Sequence, residues 1–204
     1  GTLEAGTFDL TVSSMGGFKM GMLTADRLNA TLSSSGDASI TGGTVGQIRA
    51  DLSSMGSLNA ADLTVESSAG NSAAVISLNS SGSLSLGPVQ ANTVRIDLSS
   101  MGKATLAQVN ASRLDVTIGS SGDVVINGGA VEDQTISASS MGSYRAANLD
   151  SKTATVRLSG SGDATIRVSD HLTATLSSMG SLQYSGNPTV EQHVSSSGKI
   201  EQVP

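Results

Sequence analysis

The segment Leu98-Ser99-Ser100-Met101-Gly102-Lys103-Ala104 returns twenty residues later as Ile118-Gly119-Ser120-Ser121-Gly122-Asp123-Val124. Working outward from this pair, a Ser-Ser-x-Gly tetrad or a close variant ends at Gly16, Gly36, Gly56, Gly82, Gly102, Gly122, Gly142, Gly162, Gly180 and Gly198. The steps between them are 20, 20, 26, 20, 20, 20, 20, 18 and 18 residues. A fixed period of this length is the mark of a stacked repeat. Four residues before the glycine stand Val12, Leu32, Leu52, Leu78, Leu98, Ile118, Ala138, Leu158, Leu176 and Val194. Six before it the column is again apolar, until Gln192 breaks it in the last rung. Two after it come Phe18, Ala38, Leu58, Leu84, Ala104, Val124, Tyr144, Ala164, Leu182 and Ile200. Alternation with period two inside a rung means half-buried strands, and repetition between rungs means each strand lies on its counterpart.

The fold expected is therefore all-β: one right-handed parallel β-helix (solenoid) of about ten rungs, with about 20 residues per rung, filling residues 1–204 as a single domain. At roughly 4.8 Å per rung the rod is about 45–50 Å long. Composition agrees. Among 204 residues there are two Phe, two Tyr and no Trp, against 24 Gly. A core one residue thick per layer is built from small aliphatic side chains rather than aromatic ones.

Two features of the tetrad carry structural expectations. Its glycine falls where the chain turns a corner, and positive φ is the expected reason for a residue without Cβ. The residue before it alternates strictly: Met15, Ser35, Met55, Ser81, Met101, Ser121, Met141, Ser161, Met179, Ser197. We favour an inward ladder, since adjacent flexible Met side chains would crowd at one-rung spacing; an outward one would make a broken apolar stripe suited to a partner surface, and the parity of the corner decides between them. The 26-residue step places six extra residues between Asp62 and Ala73, a loop leaving one corner of the rod within 61–74. The two 18-residue steps open a C-terminal region, 181–204, of terminal rungs and cap.

That C-terminal region carries a resemblance. Leu182-Gln183-Tyr184-Ser185-Gly186-Asn187-Pro188, followed by Ser195-Ser196-Ser197-Gly198-Lys199-Ile200, resembles the end of the bacterial auto-transporter adhesin head domain (GIN) family. Leu158-Ser159-Gly160-Ser161-Gly162-Asp163 is similar to the rung motif of that family. The resemblance implies an exported bacterial β-helix, secreted, periplasmic or on the cell surface, often with a signal peptide or lipid anchor, and a role in adhesion. The opening at Gly1 in mid-pattern fits a chain from which a leader has been removed.

Charge and motif content narrow the function. A net charge of −6 and eleven scattered Lys and Arg provide no basic stripe for nucleic acid. No apolar run is long enough to span a membrane, and the absence of Cys excludes disulfides and Cys-ligated metals. The two histidines, His171 and His193, read as solvated side chains, and neither a cofactor nor a metal is expected. The strongest polar constellation lies on the outer side of the strand before the tetrad: Arg49 and Asp51 share a face, Arg95 and Asp97 repeat it two rungs on, and Asp115 follows on the next rung. These five are the candidate binding residues, for a carbohydrate or a surface protein. The expectation is a non-catalytic envelope module, able to associate by its ends or faces. The alternative is a polysaccharide-binding or polysaccharide-acting enzyme, whose two carboxylates would need the separation of about 5–9.5 Å used in glycoside hydrolysis. Charges interrupt the Thr-rich outer face, so a regular ice-binding ladder is not formed.

Overall fold

The computed structural model describes residues 1–53, 55–67 and 72–204. Its fifteen strands are β1 (Thr2–Val12), β2 (Phe18–Leu32), β3 (Ala38–Leu52), β4 (Ser57–Ala60), β5 (Leu63–Glu66), β6 (Ala73–Leu78), β7 (Ser83–Leu98) and β8 (Lys103–Ile118). They continue as β9 (Asp123–Ile126), β10 (Gly129–Ala138), β11 (Ser143–Leu158), β12 (Asp163–Leu176), β13 (Ser181–Ser185), β14 (Thr189–Val194) and β15 (Lys199–Gln202). All join in one sheet whose pairings are parallel and in register at the repeat length, as in Leu10↔Ala30 and Ala30↔Ala50. The chain is a β-solenoid of stacked coils, as the repeat requires.

Burial shows how each coil bends. Along β8, Ala104, Leu106, Val109, Leu114, Val116 and Ile118 are buried. Their spacing is two, then three, then five, then two and two, so alternation slips twice between one tetrad and the next. Those slips are two further corners, and with the tetrad they divide each coil into three short faces. The inward residues of all coils merge into a single apolar cluster from Leu10 to Leu182.

The tetrad departs from expectation in two respects that share one cause. Its glycines do not have positive φ, which among described residues occurs only at Gly43, Gly129 and Gly186. They are instead the inward residue of the corner, packed onto the coil below. A Cβ on Gly142 would sit 2.6 Å from the Gly122 carbonyl oxygen and 2.7 Å from that of Ser120. On Gly122 it would sit 2.9 Å from the Gly102 carbonyl oxygen. Close approach of backbone to backbone demands the missing Cβ, not handedness of the turn. Because the glycine takes the inward place, the residue before it faces out. The Met ladder is accordingly on the surface, opposite to expectation, with Met15 88% and Met101 66% exposed. The corner preserves the strand parity, so inward positions fall at even offsets from the glycine on both sides.

The long step is accommodated between β5 and β6. Both pair with β3 below and β7 above, so the coils stay in register on either side of the insertion. Ser67 donates its N–H to the Gln90 carbonyl at 3.0 Å. The loop expected there falls mostly on Ser68–Asn71, outside the described residues. The shortening from 20 to 18 residues is absorbed by two register shifts between β11 and β12, one between Ala146 and Asp150, where three β11 residues are left without a β12 partner, and a smaller one between Ser151 and Thr153.

The interior holds one polar cluster. Gln134 occupies a column otherwise filled by Leu28, Ile48, Ala74, Val94, Leu114, Ala154 and Leu172. The buried Tyr144 hydroxyl donates to Gln134 Oε1 at 3.0 Å, Gln134 Nε2 donates to Ser151 Oγ at 2.7 Å, and Ser151 Oγ donates to the Arg167 carbonyl at 2.7 Å. Every buried side-chain polar atom among the described residues has a partner, as burial requires. Desolvation pushes the Tyr144 phenol well above its ordinary pKa.

Candidate functional site

The outer face of β3, β6, β7 and β8 is set by alternation: with the apolar column turned inward, the residues between must face solvent. Register then fixes which of them are neighbours. Arg49, Val75, Arg95 and Asp115 form one column across four coils, and Asp51, Ser77, Asp97 and Thr117 form the next. The structure therefore brings together all five candidate residues on one face.

Each arginine is held by the acid two residues along its own strand. Arg49 Nε donates to Asp51 Oδ2 at 2.8 Å, with Nη2 to Oδ1 at 3.4 Å. Arg95 repeats the fork with Asp97 at 2.7 and 3.3 Å. A third fork was missed in the sequence. Arg113 Nε donates to both oxygens of Asp115 at 3.0 Å. The signal was present as the same Arg-x-Asp spacing, displaced by two residues along the strand so that Arg113 lies beside Thr93 rather than Arg95. The displacement places Asp115 beside Arg95. The Arg95 guanidinium is thus held above its ordinary pKa, first by its hydrogen bond to Asp97, then by the charge of Asp97, with Asp115 adding to it. The three arginines are 58–60% exposed, and exposed pairs of this kind contribute about 0–1 kcal/mol each. Their effect is to hold planar donors and acceptors in place, not to hold the rod together.

Beside the first of these forks the surface dips. Arg27, Asn29, Gln47, Arg49, Ala73 and Val75 line a shallow depression of about 220 Å³. A larger cleft, of about 480 Å³, lies where the coils shorten, with Val131, Ser151 and Val168 at its floor and Gly186 and Asn187 along one side. Its rim is ion-paired, Arg167 to Asp150 at 3.0 Å and Lys152 to Glu132 at 3.1 Å. Sequence reasoning missed this cleft, although the 18-residue step that creates it was visible.

Elsewhere the polar groups pair across coils. Asn29 donates to Asp9 at 2.7 Å, Arg27 to Gln47 at 3.1 Å, and His171 lies 3.9 Å from Glu191. Among the described residues no three His, Asp or Glu side chains gather as a metal site, and no helix is long and apolar enough to cross a membrane.

Comparison with known proteins follows the same lines as the geometry. The family profile described as "Putative auto-transporter adhesin, head GIN domain" matches residues 1–74 and again 69–188. The chain belongs to this family. Three solved structures share the fold at low identity. One, described as a "putative lipid binding protein" from Parabacteroides distasonis, is 20% identical with a TM-score of 0.63, over 88% of this chain and 62% of that one. A second, from Parabacteroides merdae and described as a "putative adhesin", is 17% identical with a TM-score of 0.56, over 88% and 64%. A third, also described as a "putative adhesin" and from Parabacteroides distasonis, is 14% identical with a TM-score of 0.59, over 96% and 92%. This GIN-domain chain thus spans less than two thirds of the length of the first two. A search of curated proteins gives no match.

Proposed function

We propose that this GIN-domain chain is a non-catalytic recognition module of the bacterial cell surface or envelope, and that its ion-paired face contacts a polar polymer, carbohydrate foremost. The observation that carries the reading is the set of three Arg–Asp forks displayed on one rigid, solvent-exposed strand face. A fork held by its own strand offers planar donors and acceptors at fixed positions, and fixed geometry lowers the entropy lost on binding. The depression beside Arg49, with Ala73 and Val75 in its lining and Arg27 on its other side, adds a small apolar floor, the combination a pyranose ring with one polar edge and one apolar face would use. Family membership supports the envelope location and adhesive role. The enzymatic alternative is weakened by pairing: Asp51, Asp97 and Asp115 each accept hydrogen bonds from an arginine on the same strand, so their oxygens are engaged by the protein itself rather than presented to a glycosidic bond.

The test is an array of glycans and cell-surface polymers probed with the purified chain beside Arg49→Ala with Arg95→Ala, Arg113→Ala, and Arg167→Ala. Loss of a specific signal in the first two variants supports the proposal. Loss only in Arg167→Ala moves recognition to the larger cleft, and a signal indifferent to all of them refutes a role for either.

A further inference from the structure

The corner before each glycine carries a second pattern, independent of the ion-paired face. Across all ten rungs the three residues ahead of the glycine are Ser, Asn, Gly or Met, and none is charged. The rest of the chain carries all 28 charged residues, 11 Lys and Arg with 17 Asp and Glu. In the structure this strip, over its described residues, is an outer edge of the rod. Met15, Met55, Met101, Met141 and Met179 stand on it 66–88% exposed, separated by Ser35, Ser81, Ser121 and Ser161 on the intervening coils. At about 4.8 Å per coil the Met side chains recur every 9.6 Å or so. Absence of charge and exposed Met are features of an interface core, while the abundant Ser is not, so the strip's case as a contact rests on the regular alternation of large and small side chains.

We propose that this ridge pairs with the same ridge of a second copy, antiparallel, about a twofold axis between the fifth and sixth coils. Such an axis sets coil n against the partner's coil 11 − n. Met occupies the odd coils and Ser the even ones, and 11 minus an odd number is even. Every Met of each copy therefore faces a Ser of the other, a knob over a hollow, along the full rod. A parallel pair in register would set Met against Met. A twofold interface must be self-complementary, and strict alternation meets that condition in the antiparallel sense, with the axis between two adjacent coils, and not in the parallel sense. The charge-free strip also lets two chains of net charge −6 approach without opposing acids at the contact.

Size sets the strength. Nine steps of about 4.8 Å by three residues of about 3.3 Å give a strip of roughly 430 Å² in plan. That lies below the roughly 800 Å² per partner of a standard interface. The dimer is therefore weak, and its population rises with concentration.

Sedimentation across a hundredfold concentration range is expected to show the mean mass rising from 20.3 kDa toward twice that value. With all five ladder positions changed, Met15→Ser, Met55→Ser, Met101→Ser, Met141→Ser and Met179→Ser, the mass is expected to stay at 20.3 kDa. Ser already fills the other five places of the same outward column, so this variant keeps the wild-type melting temperature. Orientation is read separately by oxidation of a Met15→Cys, Ser197→Cys variant in a chain without other cysteines. Within one chain these positions are about 43 Å apart, far beyond disulfide reach. In the antiparallel pair each faces the other copy's counterpart, so a covalent dimer is expected from the double variant and none from Met15→Cys alone. A mass constant at all concentrations, equal pairing by the five-Ser variant, or cross-linking by Met15→Cys alone would each overturn the proposal.

Discussion

Replacing Gly142 by Ala isolates the reason for the glycine column. The added methyl would lie 2.6 Å from the Gly122 carbonyl oxygen and 2.7 Å from that of Ser120, and would run into a methyl of Ile118. An ordinary contact needs more than 3.4 Å, so the corner must lift by most of an ångström. Lifting stretches the bond that Ser143 donates to the Gly122 carbonyl at 3.0 Å. Losing one such bond costs about 1 kcal/mol, and overpacking a tight interior adds about 1–3 kcal/mol. The sum, about 2–4 kcal/mol, is reduced by at most about 1 kcal/mol through the lower entropy of the unfolded alanine chain. At about 2–4 °C per kcal/mol for a chain of this size, the remaining ~1–4 kcal/mol is expected to lower the melting temperature of Gly142→Ala by roughly 2–16 °C. Gly16→Ala supplies the internal control. That glycine ends the first tetrad, where no coil with its own tetrad lies beneath, and its Cβ would meet only Ser14 Oγ at 3.6 Å. Gly16→Ala is expected to leave stability unchanged or slightly raised. Thermal melts followed by far-ultraviolet circular dichroism read both. Equal losses at the two positions would show that the corner itself, not the neighbouring coil, demands glycine, and the packing argument would fail.

Four further outcomes concern the core, the corners and the ion-paired face. Tyr144→Phe strips Gln134 Oε1 of its donor inside the core and is expected to cost about 1–3 kcal/mol by melting; adding Gln134→Leu should recover part of that loss. Because burial raises the Tyr144 pKa in the folded state, the unfolded chain releases the phenol proton near pH 10 while the folded chain retains it. Wild-type stability should therefore be full below that pH and fall above it by up to about 1.4 kcal/mol per pH unit, a slope that Tyr144→Phe removes in part. Gly129→Ala, at φ +114 and against the Val109 carbonyl, is expected to be at least as damaging as Gly142→Ala, since backbone strain is added to the clash. Arg95→Ala should change the melting temperature by less than about 4 °C, because an exposed pair contributes no more than about 1 kcal/mol.

The fold was legible because the repeat is written in residues that touch their own copies. Leu98 lies on Leu78 and under Ile118, so one column read in the sequence is one stack in space. What misled was the corner. Alternation specifies a strand but not how a bend treats parity, and Met101 could be placed inside or outside until Gly102 was seen to occupy the inner position. The same ignorance assigned the glycine to positive φ when its neighbour across the coil, Gly82, was the true constraint. Charge pairs were legible where they repeated in one column, as at Arg49 and Arg95. Arg113 was overlooked because its column differs, and only register shows that Asp115 serves two arginines. The cleft bounded by Gly186 and Asn187 depends on a register break near Asn148 that no local pattern announces.

If this GIN-domain rod recognises a polymer without transforming it, as proposed, binding must occur without chain cleavage. The most direct measurement follows binding and chain cleavage together on the same bacterial cell-surface polysaccharides. The account expects a polymer to be retained by the wild-type chain, with retention weakened by Arg49→Ala with Arg95→Ala and with no new reducing ends on long incubation. Steady release of reducing ends, lost when Asp51 or Asp97 is replaced by Asn, would contradict it.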